Sequence, residues 1–410
     1  MSNTVYNEGY SGNKNSFFRK GINDTIFTQK RKFIDLGFCS GANLLGHNTN
    51  IQKKILKKYI KNNISNFSSP NIYAEELAKI IIKTLPNFSK VIFCNSGSEA
   101  NIKALRICRA ITKKTKVVNV VGSWHGSVDQ FLFKTSKKLK VTELSNGLTP
   151  DLKKNIIFIP YNDIKSSRKI LDKNRKKIAC LFIEPIQGCL PNKNSKNYLK
   201  FLELYCKKYN IFLVFDEMIT GVRTNLRSAQ DFFKIKTDIS TFGKAFGNGM
   251  PIGFITISSK IKNLIKKKRL HIYFGGTFSG NSLTSFFAKE YLIYLIKNKK
   301  KIFNYLNKIS SYFEKEINNY CQKNFIPARV YRFFSMIRLI YTSKKINNRS
   351  ARDFLESLKY KEIKNFRNYI LDKNIYYPNN GIIFFSYSSS LKNINYIIKT
   401  FKSGLKKFFI

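Results

Sequence analysis

Five short apolar runs, most of them rich in β-branched residues, set the strongest limit on what this chain can fold into. They are Lys90–Cys94, Val117–Val121, Ile156–Ile159, Ala179–Ile183 and Ile211–Phe215. None alternates apolar with polar residues, as a strand with one wet face does. Helical stretches lie between them, including Glu99–Thr112, which places Ala104, Leu105, Cys108 and Ile111 on one face, and Asn197–Lys208. Near-continuous apolar strands interleaved with helices predict an α/β architecture with a mostly parallel sheet covered on both faces. Asp238–Thr241 and Ile252–Ile257 are two shorter strand candidates.

The pattern differs at both ends. Residues 1–30 read as a polar arm, Lys32–Leu36 as a short strand and Gly41–Asn50 as a Gly/Asn-rich loop. Apolar positions from Ile51 and again over Glu75–Thr84 fit amphipathic helices, the second stopped by Pro86. After residue 285 long Lys-rich helical segments (Phe286–Tyr320) precede strands at Phe334–Ile340 and Ile382–Tyr387 and a last helix at Leu391–Phe408. The expected organisation is an N-terminal segment over 1–40, a large domain over 41–285 and a smaller α+β domain over 286–410. A length of 410 residues accommodates that division.

Charge bears on the class of function. Lys and Arg number 74 against 24 Asp and Glu, a net charge of +50. Dense positive charge attracts phosphates through counterion release. Here the basic residues are spread along the chain and recur on helix faces such as Ile51–Lys61, while Lys, Asn, Ile, Phe and Tyr are abundant together, as AT-rich coding produces. No specific nucleic-acid partner is therefore expected. No apolar run reaches the ~18 residues of a membrane span, and the N-terminus lacks a signal-peptide core. Seven Cys without a CxxC spacing argue against a disulfide framework or zinc ribbon, so a reducing cytoplasm is the expected compartment.

Five constellations can carry chemistry. Asn95-Ser96-Gly97-Ser98-Glu99-Ala100-Asn101 joins a strand to a helix, where free N–H groups and hydroxyls form an anion site, although the same residues make an ordinary N-cap. Ser123-Trp124-His125-Gly126 holds the single Trp, which can stack on a flat ring or simply fill a partly buried pocket. Asp216 and Glu217 end a buried strand, a costly placement unless the carboxylates are used. Asp216 there can pair with a cation, a metal or a protonated ring nitrogen, and no His or Cys with ligand spacing lies nearby. Lys244, in Gly243-Lys244-Ala245-Phe246-Gly247-Asn248-Gly249-Met250-Pro251, can form a Schiff base among small residues, or be one more surface lysine before a Gly turn. A phosphate loop is absent, since no GxxxxGK[ST] occurs. Gly275-Gly276-Thr277-Phe278-Ser279-Gly280-Asn281 offers further oxyanion donors, or merely connects two domains.

Together the five match the needs of one cofactor, pyridoxal 5'-phosphate: a phosphate cradle, a stacking aromatic, an Asp for the pyridinium nitrogen and a Schiff-base Lys. Their order resembles the class III, fold-type-I pyridoxal-phosphate aminotransferases, and within them the glutamate-1-semialdehyde 2,1-aminomutase subgroup. The matching pieces run from Leu45-Gly46-His47-Asn48 through Glu184-Pro185 to Gly276–Asn281. The aminomutase flavour comes from Val128–Ser136 with Pro160-Tyr161-Asn162-Asp163, from Thr220-Gly221-Val222-Arg223, and from the Gly-Met-Pro that ends the lysine motif.

The resemblance implies roles. Lys244 carries the cofactor and shuttles the proton, and Asp216 keeps the ring nitrogen protonated. Ser96, Gly97 and Ser98 grip the phosphate, with Thr277 supplied by the neighbouring subunit of a homodimer. Trp124 stands for the usual stacked Tyr or Phe and Met218 for a Val on the other face, with Glu184 and His125 behind them. The implied activity is transfer of an amino group from a small-molecule donor to a carbonyl acceptor. Some family features are missing: the N-terminal Ser/Arg loop that binds the substrate carboxylate is not found in residues 1–30, and no acid occurs over Pro378–Phe385. Trp124, Met218 and Asn248 also depart from the pattern. Lys134–Asp151, with Ser145-Asn146-Gly147, is a candidate lid. A catalytically inactive, basic nucleic-acid-binding protein on the same fold is the alternative class.

Overall fold

The computed structural model describes residues 17–67, 69–135, 139–224 and 226–410. Three short strands open it, β1 (Lys20–Ile22), β2 (Thr25–Phe27) and β3 (Lys32–Asp35), in an antiparallel meander. The stretch read as a polar arm is thus partly sheet. Asn23, with φ 54°, helps turn the chain between β1 and β2, a conformation Asn tolerates better than most residues. The first part of that arm, 1–16, lies outside the described residues.

The central strands follow: β4 (Lys90–Cys94), β5 (Lys116–Val120), and then β6 (Phe133–Thr135) and β7 (Val141–Glu143), which pair as a small ribbon. That ribbon and the start of a one-turn helix at Pro150–Lys153 interrupt the stretch expected to be a lid loop, and residues 144–149 between them remain loop. Residues 136–138, which belong to that candidate lid and include Ser136 of the motif cited above, lie outside the described residues. Next come β8 (Ile156–Ile159), β9 (Ile178–Ile183), β10 (Phe212–Asp216), β11 (Ile239–Gly243) and β12 (Gly253–Ile257).

The seven-stranded sheet has the order β4-β12-β11-β10-β9-β5-β8. Only β12 runs against its neighbours, β11 and β4. Every residue of β8 to β12 is buried, which is what apolar runs without alternation require. Leu181, Ile183, Leu213 and Phe215 point into one core with Tyr198 and Leu202 of the Lys196–Lys208 helix. Phe182 and Val214 point the other way, toward Ala104 and Cys108 of the Gly97–Thr112 helix. Each fully buried Ile, Leu or Phe side chain is worth about 1.5–3 kcal/mol, so the two-sided cover dominates the stability of this sheet.

A continuous helix, Ser282–Lys323, spans 42 residues. Its first half, with Phe286, Tyr291 and Leu295, packs on Phe242 and Phe254 of the central sheet. Its second half, with Ile309, Phe313 and Ile317, enters a separate core. There β13 (Arg329–Phe333), β14 (Met336–Ile340), β15 (Ile375–Tyr376) and β16 (Ile382–Phe384) complete the chain's strands, and the Leu391–Phe409 helix covers them. β13, β14 and β16 form an antiparallel sheet, while β15 pairs in parallel with β3. Both ends of the chain therefore build this smaller unit.

Candidate active site

Asp216 is the last residue of β10, opposite Thr241 of β11, and is 3 % exposed. Its Oδ2 accepts from Asn101 Nδ2 at 2.9 Å and from His125 Nδ1 at 2.8 Å, and its Oδ1 from the Met218 N–H at 3.0 Å. A carboxylate only accepts, so this contact assigns the imidazole proton to Nδ1. His125 Nε2 is buried without a hydrogen-bond partner. The Asn101 amide is fixed in turn: its Oδ1 accepts from Thr241 Oγ1 at 2.6 Å, and its Nδ2 also reaches the His125 carbonyl at 2.9 Å. Three segments thus aim one carboxylate out of the sheet's carboxyl end.

Lys244 follows Gly243, the end of β11, and starts a tight turn with φ 45°. Burial pushes its amine below the usual lysine range. The charges of Asp216 and Glu184 oppose that shift, and the Arg223 guanidinium adds to it. Arg223 is fully buried. It donates to Ser335 Oγ at 2.9 Å and to the Gly41 carbonyl, and lies 4.6 Å from the Phe384 ring centre. It thereby ties the strand-end loop to the smaller unit and to the Phe38–Gly41 turn, whose four residues all have positive φ. The Asp35 carboxylate holds that turn through the Gly37 and Phe38 N–H groups at 2.6 and 2.9 Å and is itself met by His47 Nε2 at 2.8 Å.

Ser96 caps the Gly97–Thr112 helix, accepting from the Glu99 N–H at 3.2 Å. The N–H groups of Gly97 and Ser98 belong to the first turn, where a helix has no internal partner to offer them. Ser98 Oγ accepts from the Ser127 N–H at 3.0 Å, drawing the Trp124-His125-Gly126 loop beside the helix end. Met218 closes the other side: its Sδ lies 2.7 Å from where a Cβ on Gly97 would stand and 3.0 Å from one on Gly243. The Trp124 backbone N–H donates to Glu184 Oε1 at 2.7 Å, and the residue is 52 % exposed. Glu184, raised by burial and then by the Asp216 charge, also accepts from the Gly188 N–H at 3.0 Å.

The structure therefore gathers Ser96, Gly97, Ser98, Trp124, His125, Glu184, Asp216, Met218 and Lys244 at the carboxyl ends of neighbouring strands. Thr277 stands apart, exposed on the loop before the Ser282–Lys323 helix. Glu217 turns inward, accepting from Thr220 Oγ1 and from the Ala229 and Gln230 N–H groups, and so braces the strand-end loop. Asn101, Thr241 and Arg223 hold the site, yet the sequence assigns them no role. Asn101 and Arg223 sit inside the recognised motifs, and that position was their only signal.

This fold and site define an α/β enzyme built around a lysine and an anchored aspartate on adjacent strand ends. A family model, aminotransferase class-III, matches residues 15–359. The chain belongs to the class-III aminotransferases. It is 33 % identical over 320 residues to a glutamate-1-semialdehyde 2,1-aminomutase of Wigglesworthia glossinidia brevipalpis, covering 76 % of this chain and 72 % of that one. It is 30 % identical over 403 residues to the protein of the same name from Nitrosopumilus maritimus (strain SCM1), covering 95 % and 92 %. An omega-transaminase from Sphaerobacter thermophilus superposes with a TM-score of 0.87 at 19 % identity, over 95 % of this chain and 91 % of that chain. A glutamate-1-semialdehyde-aminomutase from Pseudomonas aeruginosa PAO1 gives 0.85 at 14 % identity, over 96 % and 88 %. The fold is that of the fold-type-I transferases.

Proposed function

We propose that the protein is a pyridoxal-phosphate-dependent aminotransferase that handles a donor and an acceptor in turn. The carrying observation is Asp216, fixed by three donors at the end of β10 beside Lys244 at the end of β11. The residues present fit the cofactor. The open helix start at Ser96, Gly97 and Ser98 suits a phosphate, Asp216 suits a protonated ring nitrogen, and the exposed Trp124 suits a ring face. When bound, pyridoxal phosphate supplies an electron-withdrawing ring that stabilises charge left when a proton departs from the substrate. Lys244, its amine lowered by burial, takes that proton and returns it. His125 and Asn101 keep Asp216 aimed, and Glu184 holds the Trp124 backbone.

We also assign the protein to a homodimer in which Thr277 of the neighbouring copy completes the phosphate grip. Its exposed position supports this. Among the described residues no helix is long and apolar enough to cross a membrane. The seven unpaired cysteines support a reducing cytoplasm.

A second reading, the aminomutase itself, is favoured by the names of the relatives at 30–33 % identity. Against it, Pro378–Phe385, where the resemblance expects an acid, holds Asn379, Asn380, Gly381 and then only apolar residues. The deciding experiment supplies glutamate 1-semialdehyde without an amino donor. The two-substrate reading expects little 5-aminolevulinate, and parallel-line kinetics once a donor is added. Efficient donor-free conversion overturns it.

A further inference from the structure

The turn that carries Lys244 is held from outside by the segment before the Asn50–Lys61 helix. Within the turn, the Gly247 N–H donates to the Lys244 carbonyl at 2.9 Å and the Met250 N–H to the Gly247 carbonyl at 3.0 Å. Asn248 lies between these bonds, 1 % exposed, with φ 43°. Its Oδ1 accepts from the Leu45 N–H at 2.9 Å, and its carbonyl accepts from Gln52 Nε2 at 3.1 Å. Its Nδ2 is buried without a hydrogen-bond partner. Glycine takes a left-handed φ without strain, and a buried amide N–H without an acceptor is destabilising. Against both stands one gain, the bond from Leu45 to Oδ1. The side chain is therefore explained by what it clasps, not by the turn it sits in.

The residues on the other side of the clasp are themselves fixed. The Asp35 carboxylate accepts from His47 Nε2, so the imidazole proton is on Nε2, and Nδ1 is left to accept from Asn43 Nδ2 at 3.0 Å. Asn43 Oδ1 then abuts Gly249, where an added Cβ would run into it. Gln52 Oε1 accepts from the Thr49 N–H at 2.7 Å at the start of its helix, and this holds the amide whose Nε2 reaches Asn248. Asn43, Leu45 and Gln52 thus meet two consecutive residues of the turn, Asn248 and Gly249.

We propose that Asn248 is a positioning residue for Lys244: its clasp to Leu45 and Gln52 fixes the turn that carries the amine at the place from which it takes and returns the substrate's proton. The inference rests on the aminotransferase reading. The charged and titratable groups facing Lys244 are Asp216, Glu184, Arg223 and Cys39, all from other segments. Asn248 is uncharged, so it acts on the amine by keeping it in place and away from water, and burial is what lowers that amine's proton affinity.

Asn248→Gly keeps the backbone conformation and removes the Leu45 bond. In the holoenzyme kcat is expected to fall by about tenfold to a hundredfold, the loss that follows displacement of a reacting group by about 1 Å, while KM for the amino donor changes by less than about threefold. In the apoenzyme, acetylation of Lys244 by acetic anhydride, read across pH by mass spectrometry of its peptide, is expected to reach its midpoint at a higher pH than in wild type. Should that variant fail to fold, Gln52→Glu keeps the bond from the Thr49 N–H, loses the donor to the Asn248 carbonyl and is expected to lower kcat in the same direction. A Lys244 midpoint unchanged in Asn248→Gly, or a loss confined to KM, would show that Asn248 serves stability only and overturn the proposal, as would wild-type kcat in Gln52→Glu. A wild-type protein that transfers no amino group to any acceptor refutes the aminotransferase reading, and the acetylation midpoint still decides whether Asn248 positions the amine.

Discussion

Replacing Gly253 by Ala tests the phosphate cradle without touching any residue assigned to chemistry. Gly253 opens β12, paired with Cys94 on one side and Gly243 on the other. A Cβ there would collide with the Ser96 carbonyl group, standing 2.5 Å from its carbon and 3.2 Å from the Gly97 nitrogen. Carbon atoms in contact prefer about 3.5–4.0 Å, so the Ser96–Gly97 backbone must retreat by roughly 1 Å. Met218 Sδ blocks one line of retreat. Overpacking of this kind costs about 1–3 kcal/mol of stability. A displacement of that size also breaks one or two charge-assisted bonds to a phosphate, about 1.5–3 kcal/mol each, or about tenfold to over a hundredfold in affinity. Titration of the apoenzyme with pyridoxal phosphate, followed by absorbance, measures the affinity. Urea unfolding of the same apoenzyme measures the stability. Gly147→Ala is the control: its φ of 86° strains the backbone, but nothing lies within 4 Å and cofactor affinity should not change. A Gly253→Ala protein that loses stability yet binds the cofactor as wild type does would refute the placement of the phosphate at Ser96–Ser98.

Lys244→Ala is expected to abolish turnover and any borohydride-reducible cofactor adduct, and a reducible adduct surviving at this site would remove Lys244 from its role. Asp216→Asn leaves the fold intact but sets an amide N–H against either the Met218 N–H or the Asn101 and His125 donors, at a cost of about 1–3 kcal/mol. Single-turnover proton exchange should fall by more than about a hundredfold, and near wild-type exchange would contradict the assignment. For the apoenzyme, burial lowers Lys244 below its unfolded value near 10.5. The unfolded chain then binds more protons through that window, so the Lys244 contribution to stability increases as pH rises toward 10.5 and is lost as pH falls through the lowered value. Lys244→Met should flatten that slope in urea titrations, and an unchanged slope would assign it to other groups.

The central sheet was legible because its strands are buried on both faces. Lys90–Cys94 and Ile156–Ile159 appear in the structure with the boundaries their apolar runs gave, and the other runs shift by one or two residues. β1, β2, β13 and β15 were not legible. They are short or half exposed, and β15 exists only because β3, far away in sequence, pairs with it. The same limit applies within the site. Asp216 and Lys244 end apolar strands and announce themselves by being charged there. Asn101 and Thr241 matter because the Gly97–Thr112 helix crosses the sheet where β10 and β11 pair, and no local pattern encodes that crossing.

The basic composition divides in a way the sequence alone does not reveal. On the Asn50–Lys61 helix, Lys53, Lys54, Lys57, Lys58 and Lys61 are exposed while Ile55 is buried, and such lysines stay solvated at little cost. Among the described residues the buried cations are Lys103, Arg223, Arg338 and Arg352. Lys103 neighbours Glu99 in the helix that starts at the cradle, and its Nζ lies 4.0 Å from where a Cβ on Gly276 would stand, in the Thr277 loop. Arg223 donates to the Gly41 carbonyl and adds to the lowering of the Lys244 amine, Arg352 donates to the Cys189 carbonyl in the loop after β9, and Arg338 pairs with Glu356. A buried cation survives only where geometry supplies partners or a ligand does. Its position is therefore informative in a way that an exposed lysine's is not. All four meet an oxygen within the fold, Glu99 for Lys103, the Gly41 carbonyl for Arg223, Glu356 for Arg338, and Asp353 with the Cys189 carbonyl for Arg352, so the buried positive charge is compensated by fixed partners where the exposed lysines rely on water.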